Sequence, residues 1–219
     1  SSRSQLCWTA VSVTAAGILT NLALDWIRIN DISKISYSEY NYLIINGVLL
    51  FCSYPLLYVI EKAFGFTSNI TLIELSDMNK AVLRKMSEVA PGTFQHSIQV
   101  GNLAAEIANK IGAKSQLVRT GALYHDIGKI VNPIYFTETQ SGVNPHEKMN
   151  PIDSAQMIIS HVTEGTKLAD KYNLPDVIKE FITTHHGQGK TKYFYVQYKN
   201  AHPNDDVDDL LFTYPGPRS

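Results

Sequence analysis

The stretch GALYHDIGKIVN, residues 121–132, decides the fold because it sets a histidine directly before an aspartate near the end of a helical run. Leu117 and His125 lie two i+4 steps apart, which places them on one face of a helix. Gly128 then favours the end of that helix. A neutral imidazole beside a carboxylate is a ligand pair for a transition metal, so His125 and Asp126 are the first candidate site residues.

Six of the seven histidines fall between His96 and His186. A single inward histidine is more often a hydrogen-bonded core residue than a ligand. Four helices that each direct imidazole to the interior are costly unless one partner satisfies them all. Together with Asp126, these histidines therefore predict a site for two metal ions. The four predicted helices are one after Pro91-Gly92 with His96, one over about residues 115–127 with His125, one opened by the cap Asn150 and Pro151 with His161, and one from about Asp176 to Gly187 with His185 and His186.

On the first of these helices, Thr93 is the expected N-cap and His96 is expected to face the core. The residues His96, Val100, Leu103 and Ile107 form one stripe at helical spacing, which is typical of a buried face. Beyond the predicted spans the hydrophobic pattern is helical. The expected fold class is therefore all-α.

Composition excludes several classes of protein. The chain of 219 residues has 44% hydrophobic and 18% charged residues, and its net charge of -1 provides no attraction to a nucleic acid polymer. The two cysteines, Cys7 and Cys52, are too few for a disulfide framework. The stretch HHGQGK at residues 185–190 lacks the spacing of a P-loop, so a nucleotide triphosphatase of that type is not supported.

Apolar residues concentrate near the N-terminus. Residues 43–60, LIINGVLLFCSYPLLYVI, contain no charge and nearly reach the about 20 residues that cross a bilayer core. We predict one membrane span over about residues 43–64 and a second, weaker one over about residues 6–27. Trp8 and Trp26 lie at the ends of the weaker one, as interfacial aromatic residues do. A lipid bilayer is thus an expected partner, and the alternative is a pair of helices buried in a soluble core.

Several stretches around the histidines resemble a known family. YHDIGK at residues 124–129 carries the histidine-aspartate doublet after which the HD-domain phosphohydrolases are named. The wider sequence is similar to the seven-transmembrane HD proteins of bacteria, which degrade cyclic di-AMP, and this similarity extends over nearly all of residues 42–219. The matching stretches are ELSDMNKAVLRKMSEVAPGTFQHS, GALYHDIGKIVNPIYFTETQSGVNPHEK, IISHV, FITTHHG and FTYPGPR.

This resemblance implies a domain organisation and a location. Residues 1–66 would hold the last transmembrane helices, residues 67–90 a linker helix, and residues 91–219 a helical-bundle HD domain truncated at its C-terminal end. The family's extracytoplasmic domain and earlier spans are absent, so the chain is expected to be a fragment. The family implies an integral protein of the bacterial inner (plasma) membrane with a cytosolic HD domain.

The resemblance also implies a ligand set. It assigns His96, His125 and Asp126 to one metal ion, assigns three further histidines to the other, and makes Asp126 the bridge between them. The family has one more ligand, an aspartate downstream of the YPGP motif, which this sequence does not contain, so the first ion is expected to have three protein ligands here and activity is expected of the longer parent protein. The three histidines of the second ion are His161, His185 and His186.

The expected chemistry follows from these ligands. Imidazole with carboxylate suits iron, manganese or zinc, and the resemblance implies two divalent transition metal ions, iron or manganese. Two such ions can activate a shared water for attack on a phosphodiester. Asp126 is expected to act as the bridge and Lys129 to neutralise charge on the phosphate oxygens, the alternative for Lys129 being a solvated side chain. The implied function is a metal-dependent phosphodiesterase that opens a cyclic dinucleotide, cyclic di-AMP, to linear pApA.

Two other functions compete with hydrolysis at a two-metal site. One is a membrane receptor whose HD domain binds a nucleotide without cleaving it. The other is a single-metal nucleotidase in which the second set of histidines is not needed. Of the remaining candidates, His146 is expected either to line the substrate cleft or to be solvated, and His202 to lie at the surface. The acidic run at residues 205–209 lacks the glycine and glutamate of an EF-hand and is expected to be a solvated loop.

Overall fold

The computed structural model describes residues 3–29, 38–140, 142–204 and 206–218. Within these ranges the regular elements are helices, apart from one antiparallel bridge between Lys190 and Thr213. The all-α fold class is therefore confirmed. The chain forms two compact units, Ser1–Ile70 and Thr71–Ser219.

The first unit is a pair of long helices, α1 (Arg3–Ile29) and α2 (Ser38–Phe64). They pack closely because Gly47 of α2 lies against the side chain of Thr14. The hydroxyl of Tyr40 donates a hydrogen bond to Asp25 Oδ2 at 2.7 Å, which satisfies the one acidic side chain within α1.

Both helices are long and apolar enough to cross a membrane. The candidate spans are Trp8–Ile29, with a mean hydropathy of 1.4, and Tyr40–Phe64, with a mean hydropathy of 2.1. Their apolar windows are not buried inside the structure, whereas a helix in a soluble core would be.

The second unit is a bundle of short and medium helices. Among its described residues, single-turn 3-10 helices connect them at Ile127–Ile130, Pro133–Tyr135, Pro145–Lys148 and Asp209–Phe212. The α-helices are α3 (Asn69–Leu75, which begins just before the unit), α4 (Ala81–Val89), α5 (Pro91–Lys110), α6 (Ser115–Tyr124), α7 (Pro151–Lys171), α8 (Asp176–Thr184) and α9 (Lys192–Ala201).

One apolar core joins α3 and α4 to the rest of this unit. Leu83 and Met86 of α4 are fully buried and belong to the same cluster as Leu123 of α6 and Ile178 and Ile182 of α8. The segment over residues 67–90, predicted as a linker helix, thus contributes buried side chains to this core. Its apolar face is buried together with side chains of α6 and α8, as expected of an amphipathic helix.

The predicted orientation of α5 is wrong. Its buried face carries Thr93, Ser97, Gly101 and Ala108, whereas Leu103 is 66% exposed in the structure. Close packing explains the difference, since a Cβ on Gly101 would lie 3.2 Å from the backbone oxygen of a residue in α6. Only small side chains fit between helices that approach so closely. The predicted N-cap is also wrong, because α5 begins at Pro91 and Thr93 is buried in its first turn.

The segment around the histidine-aspartate doublet leaves the helix earlier than predicted. Helix α6 ends at Tyr124, and the chain tightens into the 3-10 turn Ile127–Ile130 instead of stopping at Gly128. A Cβ on Gly128 would lie 1.8 Å from the backbone oxygen of His161, so the glycine permits contact between this turn and α7. That contact brings Asp126 to the side of α7 that carries His161.

Replacing Gly128 by alanine tests this close approach. Since the clash is with backbone atoms, which cannot rotate away, Gly128→Ala should lower the free energy of unfolding by about 3 kcal/mol. Gly101→Ala is the matched control, because its Cβ makes a milder contact in a helix that favours alanine. Urea unfolding of the detergent-solubilised chain measures the free energy of unfolding of both variants. Equal decreases in the two variants would contradict the account.

Candidate metal centre

The predicted site residues converge in two groups that share one member. Within each group, the ligand atoms all lie within 4.8 Å of one another. Asp126 belongs to both groups. One group is Asp126, His161, His185 and His186, and the other is His96, His125 and Asp126. The six residues implied as ligands are thus brought together, and their ligand roles stay predictions.

Different helices supply these side chains. His96 lies in the second turn of α5 and is exposed, contrary to the expectation that it faces the core. His125 follows the last residue of α6, and His161 lies in the middle of α7. As predicted, Asn150 caps α7, its side chain accepting a hydrogen bond from Ile152 N at 2.7 Å.

The adjacent histidines lie at the end of α8. His185 is the C-cap residue of that helix, and Gly187 follows with a φ of 51°, a left-handed conformation that glycine adopts without strain. The chain turns there, so His185 and His186 both reach the site. The ring of His186 stacks on the ring of Tyr214, with 4.0 Å between centroids and 16° between planes.

The carboxylate of Asp126 lies at the centre of the cluster. Asp126 is 2% exposed, and its Oδ1 atom is buried without a hydrogen bond. The Nε2 atom of His125 lies 3.2 Å from Oδ2, while the Nε2 atoms of His161 and His185 lie 3.3 and 3.5 Å from Oδ1. A buried acceptor without a donor is costly, so Oδ1 in particular calls for a positive partner, whereas Lys129 Nζ lies 2.8 Å from Oδ2.

The histidine rings are oriented by their own helices. In His125, His161 and His185, Nδ1 lies 2.6 to 3.1 Å from a main-chain carbonyl oxygen three or four residues earlier. Because a carbonyl oxygen only accepts, each Nδ1 carries the hydrogen, and Nε2 of the neutral ring offers a lone pair. Three lone pairs then point at a carboxylate, and this arrangement is repulsive unless cations lie between them.

Burial and charge set the protonation of the cluster. Burial lowers the pKa of His161 to about 4, with a smaller opposing effect from the charge of Asp126. Burial and the charges of neighbouring histidines lower the pKa of His186 to about 3. Burial would raise the pKa of Asp126, but the proximity of the His125 imidazole and the charge of Lys129 outweigh it, so this pKa lies well below its usual range. At neutral pH His161 and His186 are therefore neutral and Asp126 is anionic. Burial would lower the pKa of His125, but the interaction with Asp126 outweighs it and raises that pKa.

Lys129 is not a solvated lysine. Its side chain is 14% exposed, and its Nζ lies 2.8 Å from Asp126 Oδ2 and 2.7 Å from Glu138 Oε1.

Sequence reasoning missed Glu138, because it lies in an irregular loop where no helical or strand period marks a residue. Tyr214 was noticed only as part of the YPGP stretch, and its contact with His186 is not visible in the local pattern.

A cleft of about 660 Å³ adjoins the cluster. His146 lines this cleft, and its Nε2 lies 2.9 Å from the carbonyl oxygen of Tyr135. The wall combines site residues with aromatic rings and lysines. The lining includes Tyr135, Phe136, Glu138, His146, His186, Lys190, Lys192, Tyr193, Phe194 and Tyr214.

The other candidates lie outside the cluster. His202 is exposed and stacks on Tyr198, as a surface histidine was expected to do. In the acidic run, Asp208 caps a 3-10 turn and Asp209 pairs with Lys190, so both carboxylates have local partners. Asp205 lies outside the described residues.

Comparison with known proteins finds a matching family model and similar curated proteins. A model of the HD domain matches residues 93–212. The cyclic-di-AMP phosphodiesterase PgpH of Listeria monocytogenes is 42% identical over 159 residues, which are 72% of this chain and 22% of that protein. The cyclic-di-AMP phosphodiesterase PgpH of Bacillus subtilis is 40% identical over 159 residues, with the same two shares. The chain thus spans about a fifth of the length of these curated relatives.

A solved structure is similar as well. It is the crystal structure of the L. monocytogenes phosphodiesterase PgpH HD domain in complex with cyclic-di-AMP. This chain superposes on it with a TM-score of 0.59 at 42% sequence identity, and the match covers 63% of each chain.

The stability of the metal-free protein should depend on His161. Below about pH 6.5 an unfolded histidine binds a proton, whereas the folded His161 does not until about pH 4. Its contribution to stability is therefore complete above pH 6.5 and is lost as the pH falls toward 4. His161→Gln should reduce the fall in the free energy of unfolding over that pH interval by up to about 3 kcal/mol. Urea unfolding at several pH values measures the free energy of unfolding, and the exposed His202→Gln is the control. If the free energy of unfolding of His161→Gln depended on pH as that of the wild type does, the prediction would be contradicted.

Proposed function

The chain belongs to the HD-domain family, and from that premise we propose that it is part of a metal-dependent phosphodiesterase that hydrolyses cyclic di-AMP to linear pApA. The observation that carries the proposal is the set of imidazole Nε2 lone pairs converging on the buried carboxylate of Asp126. The names of the similar proteins support the choice of substrate.

We assign two divalent transition metal ions to the cluster, iron or manganese. The donor set fits them, since neutral imidazole with carboxylate suits these ions better than calcium or an all-oxygen magnesium shell. When bound, such ions supply an activated water and polarise the phosphodiester. His96, His125 and Asp126 would hold one ion, and His161, His185 and His186 the other, with Asp126 contributing to both.

The protein's own groups have distinct roles in this proposal. Asp126 stays anionic and offers one oxygen to each ligand group. Lys129 offers its ammonium beside Asp126, where it can stabilise the charge that builds on the non-bridging phosphate oxygens. Aromatic rings in the cleft, such as Phe194 and Tyr193, suit nucleobases, and Lys190 suits a second phosphate.

We also propose that the first unit anchors the protein in the bacterial inner membrane, with the HD domain in the cytosol. Its two apolar helices support this location by their length and exposure. Reconstitution into vesicles followed by carbonate washing would test it, and release of the intact protein by the wash would refute membrane integration.

Hydrolysis itself is directly testable. A longer form of the protein that extends beyond Ser219 and includes the further aspartate should, when loaded with manganese, convert cyclic di-AMP to pApA. In it, Asp126→Asn should lower kcat by about 10³-fold because a neutral amide replaces the shared carboxylate. Separation of products by chromatography measures the reaction, with cyclic di-GMP as the competing substrate. Faster turnover of cyclic di-GMP would overturn the substrate. Binding of cyclic di-AMP without turnover would favour a receptor over an enzyme.

Metal content separates a two-ion site from a single-ion site. The wild type should hold about two manganese ions per chain, and His185→Ala should reduce this to about one by removing a ligand from the second group only. His202→Ala is the control, because that ring lies at the surface. Elemental analysis after removal of free metal gives the count, and one ion in both wild type and His185→Ala would support the single-metal alternative.

A further inference from the structure

The ammonium group of Lys129 lies between two carboxylates. Its Nζ is 2.8 Å from Asp126 Oδ2 and 2.7 Å from Glu138 Oε1. The side chain is nearly enclosed, and it also lies over the ring of Phe136, 5.1 Å from the centroid. Two anions and one aromatic face thus fix this cation in the metal-free protein.

Glu138 is itself firmly held. The hydroxyl of Thr93, which is fully buried in α5, donates to the same Oε1 atom at 3.1 Å. The backbone of Glu138 packs against Gly92, where an added Cβ would lie 1.8 Å from the carbonyl oxygen of Glu138. Glu138 therefore ties the first turn of α5 to the 3-10 turn that carries Lys129.

The two carboxylates are not equivalent once cations enter the cluster. Asp126 belongs to both ligand groups, so bound cations would compete with Lys129 for its oxygens. The same cations would repel the ammonium group over a short distance in a buried site. Glu138 belongs to neither ligand group, and its carboxylate remains available to Lys129.

We propose that Glu138 is a positioning residue that keeps the Lys129 ammonium beside Asp126 when the site carries its metal ions. The proposal rests on the proposed function, since the place of Lys129 matters to catalysis only if a phosphate binds there. Without Glu138, the metal-loaded site expels Lys129 toward solvent.

Amine labelling tests the position of Lys129 without measuring activity. Wild type and Glu138→Gln are each treated with an acetylating reagent at one pH, metal-free and manganese-loaded, and Lys129 is followed by peptide mass spectrometry. Lys179 is the internal standard, because it pairs with Asp170 and Asp176 away from the cluster. The glutamine variant is nearly isosteric and keeps an oxygen for Thr93, so the fold is preserved.

The expected result is specific to one of the four samples. Lys129 reacts slowly in both wild-type samples and in metal-free Glu138→Gln, where Asp126 still holds it. It reacts at least about fivefold faster in manganese-loaded Glu138→Gln, since the cations then repel an ammonium group without a counter-ion. Equal rates in the two loaded proteins would overturn the proposal, as would an equal rise on loading in wild type.

Kinetics provide the second arm. Glu138→Gln should lower kcat about 10- to 100-fold with little change in KM. The double variant with Lys129→Ala should be no slower than Lys129→Ala alone, because Glu138 acts through Lys129. Glu164→Gln makes the same charge change in a surface pair with Lys167 and should leave kcat unchanged. Additive losses in the double variant would overturn the proposal, whereas absence of any turnover in wild type would overturn the proposed function and leave the labelling result to decide on Glu138.

Discussion

The arrangement of this site depends on one electrostatic conflict. The carboxylate of Asp126 is buried, and the Nε2 atoms of His125, His161 and His185 lie within 3.5 Å of its oxygens. Main-chain carbonyls hold the Nδ1 hydrogens of these rings, so the rings cannot all turn donors toward the carboxylate. Folding alone leaves Asp126 Oδ1 without a hydrogen bond. Cations between these atoms would supply the missing partner and convert repulsion into coordination.

Close contacts between backbone segments hold the site residues in this arrangement. Gly128 lets the turn after α6 approach α7, and Gly92 lets the first turn of α5 approach the loop at Glu138. At the end of α8, Gly216 approaches the backbone of Gly187, and this contact carries Tyr214 against His186. Glycine is needed where backbones come this near, since any Cβ would clash. The apolar core of the bundle then fixes the helices that these contacts join.

Much of the site could be predicted from the sequence because its residue types are rare and their chemistry is shared. His125 and Asp126 are adjacent, and His161 and His185 sit on helices with clear starts and ends, so the cluster follows from local patterns. Other parts depend on contacts between distant segments. Glu138 meets Lys129 only through the shape of an irregular loop. The buried face of α5 was predicted wrongly because hydrophobicity favours Leu103, whereas the small residues near Gly101 let the helices pack.

The most direct test of the account is electron paramagnetic resonance of the manganese-loaded protein. If Asp126 serves both ligand groups, two ions lie about 3.5 to 4 Å apart and are magnetically coupled. The account predicts a multiline spectrum of a coupled pair, which is lost when Asp126 is replaced by alanine. A simple six-line spectrum of isolated ions at full metal occupancy would contradict it.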